Sequence, residues 1–382
     1  MDTENIVTEE IEEGAAPAPE VPVKKGYRRV CGSWTDIFII AVMLSVLLLI
    51  LGEIITALLN GFVIHADDIA LSLTGDEDIV PFLLQYFNFY GIWIAFILLI
   101  TIFKGNWPMW KAFVYNGHGN NIRSVFAGIG LGFGMNGFCI LMSWIQGDIR
   151  LTYNGFDPRL FFVFLLCVFI QSGAEEIVDR CYLYQKLRRR YRLPAVAILL
   201  NALIFMALHM GNPGVTVLGL LQVFLIGVLF SLIVYYWDSL WTVMWAHAAW
   251  NFTQSIVFGL PNSGIVSRYS VFKLDAASAV DGFFYNTSFG VEGSIGANII
   301  ITIMIAAVLI FAFATKRGEK MDHWKKMEDS GQSAGHIWEI VVLVIIMAAI
   351  LAVSSFTLYY LAQHPEILEQ YGIQRSAVYL VH

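Results

Sequence analysis

The feature that most constrains this chain is a succession of apolar runs, each long enough to cross a ~30 Å hydrocarbon layer, which takes about 20 helical residues. They begin near Trp34, Pro81, Ser124, Leu160, Pro194, Val215, Ser239, Ile295 and Ile337. Inside lipid the backbone has no water to bond, so each run must satisfy its own peptide groups as a helix. The expected fold is therefore all-α: a polytopic integral membrane protein of about nine transmembrane helices. Of the 382 residues, 58% are hydrophobic and 14% charged, which argues against the two soluble domains that length alone would suggest. Positions 1–33 read as a disordered acidic tail with a basic juxtamembrane segment, 34–363 as the helical domain, and 364–382 as a C-terminal tail. The opening residues lack a basic n-region with an apolar core, so no cleavable signal peptide is expected.

The charges set an orientation. Lys24, Lys25, Arg28 and Arg29 precede the first run, and Lys104, Lys111 and Arg123 separate the second and third. A cluster from Lys186 to Arg192 follows the fourth, and Lys316, Arg317, Lys320, Lys325 and Lys326 follow the eighth. These put seventeen of the 23 lysines and arginines on one side, so the positive-inside rule places the N-terminus in the cytoplasm and the C-terminus outside, in what is expected to be a bacterial plasma membrane. No basic face suits a nucleic acid. Cys31, Cys139, Cys167 and Cys181 have no CxxC spacing and suggest neither a disulfide framework nor a zinc knuckle. Gly128, Gly130, Gly132 and Gly134 form overlapping small-xxx-small pairs that suit close helix packing.

Ionisable residues within a span are costly and point to function. The fourth run ends in QSGAEEIVDRCYLYQKLRRR, with Glu175, Glu176, Asp179 and Arg180 inside six positions. At 100° per residue Glu175 and Asp179 share one face, while Glu176 and Arg180 make an i, i+4 pair on the next. Glu175 lies about 16 Å before Lys186, which favours burial over a simple role at the headgroups. The fifth run carries Phe205 and His209, and the seventh His247 and Asn251, each pair at i, i+4. A carboxylate can take a proton from water, histidine can share it, and His or Asn donors can stabilise an oxyanion. The same groups offer a zinc site of Glu175, His209 and His247 with one position open, although no HExxH places ligands on a single helix. No GxSG or GxGD motif points to a serine or aspartyl intramembrane protease.

Glu175-Glu176-x-x-x-Arg180, Phe205-x-x-x-His209 and His247-x-x-x-Asn251, in that order, resemble the CPBP family of CAAX proteases and bacteriocin-processing enzymes. The resemblance covers about residues 160–260. It implies an intramembrane endopeptidase cutting a membrane-associated or lipidated peptide or protein, with Glu175 as base on the hydrolytic water and His209 assisting. His247 and Asn251 would form the oxyanion site, and Glu176 and Arg180 the supporting ion pair. Both a zinc-dependent and a metal-free glutamate mechanism are compatible with the family. Asp179 and Cys181 depart from its pattern, which has an apolar residue before the arginine and a glycine after it.

Counted from the basic ends, His209 lies about 24 Å along its span and His247 about 12 Å along its own, so tilt or a re-entrant start at Pro194 must bring them level. The first, second, eighth and ninth runs are expected to be shell. The segment from Pro261 to Gly293 is expected to be a solvated connection, and Asn286-Thr287-Ser288 matches a glycosylation sequon. Two rival functions are a non-catalytic scaffold or bacteriocin-immunity protein of the same fold, and a proton-relaying transporter. The latter lacks the expected paired half-repeats.

Overall fold

The computed structural model describes residues 33–191, 193–320 and Ile345. The expected acidic tail, the ninth run from Ile337 and the C-terminal tail lie outside the described residues apart from Ser33 and Ile345. The described residues are mostly helical: α1 (Phe38–Leu59), α2 (Ala66–Thr74), α3 (Val80–Phe87), α4 (Tyr90–Ile102), α5 (Met109–Phe113) and α6 (Ile122–Gln146). These are followed by α7 (Pro158–Glu176), α8 (Tyr184–Arg190), α9 (Pro194–Leu208), α10 (Val217–Trp237), α11 (Leu240–Phe252) and α12 (Ile295–Ala314). Two short strands, β1 (Leu151–Tyr153) and β2 (Phe272–Leu274), pair antiparallel with Leu151 opposite Leu274.

Six described helical segments are long and apolar enough to span: Phe38–Ile64, Val80–Ile102, Ile122–Gln146, Pro158–Arg190, Val217–Trp237 and Ile295–Ala314. The expected nine are not all found. α9 has 15 residues, about 22 Å of helix and short of a full hydrocarbon crossing. α11 continues without a break as a π-helix over Thr253–Val257, but it carries His247, Asn251 and Gln254 and is not among the six apolar segments.

Local chemistry sets the boundaries. Asn121, Asp157, Thr216, Ser239 and Ser294 cap α6, α7, α10, α11 and α12 through side-chain oxygens, and Pro158 and Pro194 open α7 and α9. The glycine ladder divides by face. A Cβ at Gly128 would meet the Thr242 carbonyl of α11 and one at Gly132 the Ala246 carbonyl, whereas Gly130 and Gly134 have nothing within 4 Å. Only the first pair lets α6 and α11 touch backbone to backbone. We expect Gly132→Leu to lower the melting temperature in detergent and displace α11, an overpacking cost of about 1–3 kcal/mol. Gly134→Leu should shift it by no more than about 0.5 kcal/mol's worth.

The basic cluster after α7 does not simply face headgroups. Lys186, Arg188 and Arg189 are buried; Lys186 and Arg189 pair with the buried Asp36 at 3.3 and 3.2 Å, and Arg188 with Glu319 at 2.6 Å. These contacts tie the start of α1 and the end of α12 to α8. Among the described residues, Lys104, Lys111, Arg123, Lys316 and Lys320 are the exposed basic residues of the set that gave the expected orientation.

Candidate active site

α7 does not continue as an α-helix past Glu176. Ile177–Leu183 is a π-helix before α8 resumes, a widening that recurs at functional sites. It is supported from outside: Asn201 of α9 donates to the Asp179 carbonyl at 2.9 Å, and Ser231 of α10 donates to Asn201 Oδ1 at 2.9 Å. All three groups are buried, so the relay satisfies polar atoms that apolar surroundings would otherwise leave unpaired.

The segment runs on to Arg190, which puts Glu175 fifteen residues, or about 22 Å, from its end. His209, the residue after α9, lies as many residues beyond Pro194. The expected disparity in depth between His209 and His247 does not keep them apart, because both rings reach the same Glu175 oxygen. His209 Nε2 lies 3.9 Å and His247 Nε2 3.8 Å from Glu175 Oε2.

Each ring is fixed through its other nitrogen. His209 Nδ1 is 2.8 Å from the Phe205 carbonyl, which can only accept, so Nδ1 carries the proton. His247 Nδ1 lies 2.9 Å from Glu176 Oε1 and donates to it. Arg180 Nη1 reaches the same oxygen at 3.1 Å, with both partners fully buried. The Arg180 guanidinium lies over Phe205 at 4.0 Å, and Phe205 packs against His209 with ring centroids 4.6 Å apart. Phe205 thus couples the cation to the histidine one turn away. In neutral rings both Nε2 lone pairs point toward Glu175.

Glu175 Oε1 accepts from Gln171 at 2.5 Å. Gln171 Oε1 and Ser172 Oγ each receive Asn251 Nδ2 at 3.2 Å. Asn251 therefore joins the site, with its amide engaged by α7. Gln171 escaped sequence reasoning, although its i−4 spacing from Glu175 was a usable signal.

Glu175, Asp179, His209, His247 and Asn251 line a cavity of about 320 Å³, within the range of small-molecule and peptide pockets. Leu49 of α1, Gln85 and Tyr86 of α3, and Phe89 complete its wall, so the first two runs are more than shell. Asn262, Ser263 and Ile265 line it as well, and the Pro261–Gly293 segment is not simply a solvated connection. Three bonds hold that segment down: Gln254 donates to the Pro261 carbonyl at 2.5 Å, Asn262 to the Asn251 carbonyl at 3.3 Å, and the Ser263 amide to Glu292 Oε2 at 2.7 Å.

Glu292, just before α12, also accepts from Trp250 at 3.3 Å. Burial pushes its carboxyl up to about 7, against the opposing pull of the Ser263, Trp250, His247 and Gln254 groups that face it. The buried setting of Glu292 in the folded protein therefore favours the neutral acid, against the pull of the Ser263 amide. This stabilisation is complete below the ordinary carboxyl value and is lost as pH rises through about 7. Hydrogen exchange of residues 259–265, corrected for intrinsic rate, should show protection falling over that window in wild type and staying flat in Glu292→Gln.

A Glu175, His209 and His247 ligand set suits zinc in its chemistry, with Glu176 behind His247 in the manner of outer-shell carboxylates. Its spacing does not: 3.8 and 3.9 Å exceed the roughly 3.3 Å edge of a tetrahedron with bonds of about 2.0–2.1 Å. Among the described residues no group of three His, Cys, Asp or Glu is arranged to hold a metal ion.

Residues 157–253 match the family described as type II CAAX prenyl endopeptidase Rce1-like. The match bears out the CAAX-protease resemblance drawn from the three motifs and spans α7 to the first residue of the π-helix, Thr253–Val257, that continues α11. No curated protein and no solved structure gives a significant match.

Proposed function

We propose, on the premise of this CAAX-protease-like core, that the protein is an intramembrane endopeptidase hydrolysing a peptide bond of a membrane-associated or lipidated substrate with a glutamate-activated water. The observation that carries the reading is the convergence of His209 Nε2 and His247 Nε2 on Glu175 Oε2 within one cavity. Separations of 3.8–3.9 Å allow a water oxygen about 2.8 Å from each group to bridge them. Glu175 takes the proton as the water attacks the carbonyl carbon, and later returns it to the leaving amine.

The Glu176–His247 bond holds that ring in one tautomer and supports its positive form. Arg180 offsets the Glu176 charge. Asn251 Nδ2 exchanges its contacts with Gln171 and Ser172 for the developing oxyanion, alongside the Nε2–H of His247. That ring carries its positive charge between Glu175 and Glu176 before the attack, so the water proton held by Glu175 is the only one moved. Freed of Asn251, Gln171 continues to orient Glu175. The spacing favours this metal-free route over one through zinc. The basic end of the bundle would face the cytoplasm, with the β1–β2 end opposite.

The test is to express wild type, Glu175→Ala and His247→Ala in a host membrane and compare their peptides by mass spectrometry. Both variants should fold at normal levels and leave the same substrates uncut. Identical peptide profiles in all three, with a partner-binding or immunity phenotype retained, would replace the hydrolase with the scaffold reading.

A further inference from the structure

Asp179 departs from the family's pattern and takes no part in the reaction described above. It lines the same cavity as Glu175, one helical turn along the same face. It is 3% exposed, and its Oδ1 is buried without a hydrogen-bond partner. No cation lies within ion-pair distance of it among the described residues. The adjacent Arg180 is held by Glu176 at 3.1 Å and by the Phe205 ring at 4.0 Å, while His209 and His247 face Glu175.

The remaining polar groups of the cavity are neutral amides and hydroxyls, and no lysine or arginine lines it. The cavity thus presents two carboxylates, Glu175 and Asp179, and the one fixed cation beside them, Arg180, makes its ion-pair contact with a third, Glu176. A buried carboxylate is stable as an anion when a partner supplies charge and donors. Here the missing partner has room to come from a ligand.

We propose that Asp179 is a specificity-determining residue that receives the ammonium or guanidinium of a lysine or arginine in the substrate peptide. The inference rests on the hydrolase reading given above. Asp179 stands about 6 Å along the helix from Glu175, and an extended peptide advances about 3.3 Å per residue. The basic residue therefore sits within about two positions of the cleaved bond. A charge-assisted contact of this kind corresponds to a preference of about tenfold or more.

The experiment reconstitutes wild type, Asp179→Asn and Asp179→Lys in phosphatidylcholine vesicles with a mixture of acylated peptides randomised along their length. Cleavage products are counted by mass spectrometry with Glu175→Gln as background. Wild type should enrich lysine and arginine about tenfold or more at one position near the cut. Asp179→Asn should lower the ratio of basic to neutral products by a similar factor, and Asp179→Lys should move the preference toward aspartate and glutamate.

Glu175-dependent cutting by wild type with no basic enrichment would overturn the inference while leaving the hydrolase intact, even if neither variant folds. Dependence of the wild-type preference on an added divalent cation would also overturn it, by assigning Asp179 to a metal. Absence of any Glu175-dependent cutting would remove the hydrolase reading itself, and this inference with it.

Discussion

Glu175→Gln should lower peptide hydrolysis by about two to four orders of magnitude, the range for loss of a general base, in a protein that stays folded. Glutamine keeps the shape of the side chain and can still bond Gln171 after an amide flip. The side chain is only part-buried, 18% exposed, so removing its charge uncovers no stranded partner of the kind that unfolds a core. What is lost is the atom that takes the proton of water between the two Nε2 groups. Turnover should fall while binding of uncut peptide persists, which separates a chemical role from a structural one. Initial rates in vesicles, set beside a melting curve, make the measurement. A Glu175→Gln protein that cuts at the wild-type rate would assign the base elsewhere.

Arg180→Met should act in the opposite way, through stability. Arg180 and Glu176 are fully buried at 3.1 Å, and breaking such a pair by removing one partner costs about 3–5 kcal/mol, because the other charge is left uncompensated. Methionine preserves much of the volume beneath Phe205 and Phe230, so the loss reports charge rather than a cavity. The double variant Glu176→Gln with Arg180→Met should recover most of the lost stability, since neither charge remains. It should stay weak in catalysis, because His247 Nδ1 then lacks the carboxylate that fixes its tautomer. Detergent unfolding curves for the single and double variants test this, and a single variant as stable as the double one would contradict it.

The legible parts of the site were those written in helical spacing. Glu176 and Arg180 were expected to pair at i, i+4 and do so at 3.1 Å; Glu175 and Asp179 were expected to share a face and line one cavity. The glycine ladder was readable as a packing face, although not which two of its four residues touch α11. Spacing says nothing about contacts made across the bundle. Tyr86, Asn136, Gln254 and Glu292 lie far apart in sequence, yet Asn136 donates to Gln254 at 2.6 Å and Gln254 in turn holds the Pro261 carbonyl.

The π-helix after Glu176 has no periodic signature, and the groups that bond it, Asn201 and through it Ser231, lie on other helices. The burial of the basic cluster was illegible for a related reason, because only the fold brings Asp36 and Glu319 to Lys186, Arg188 and Arg189. Polar residues within apolar runs, such as Asn136, Asn201 and Gln222, were the unread signal, since each must find a partner inside the bundle.

The most direct test of the central claim is single-turnover cleavage of a lipidated peptide mixture in ¹⁸O-water by protein reconstituted with a metal chelator present. Direct attack by a Glu175-activated water predicts one ¹⁸O in each new C-terminal carboxyl for wild type, and product from Glu175→Gln slowed by about two to four orders of magnitude. Unlabelled first-turnover product would instead mark Glu175 as a nucleophile, and loss of all cleavage on chelation, restored by added zinc, would contradict the metal-free site.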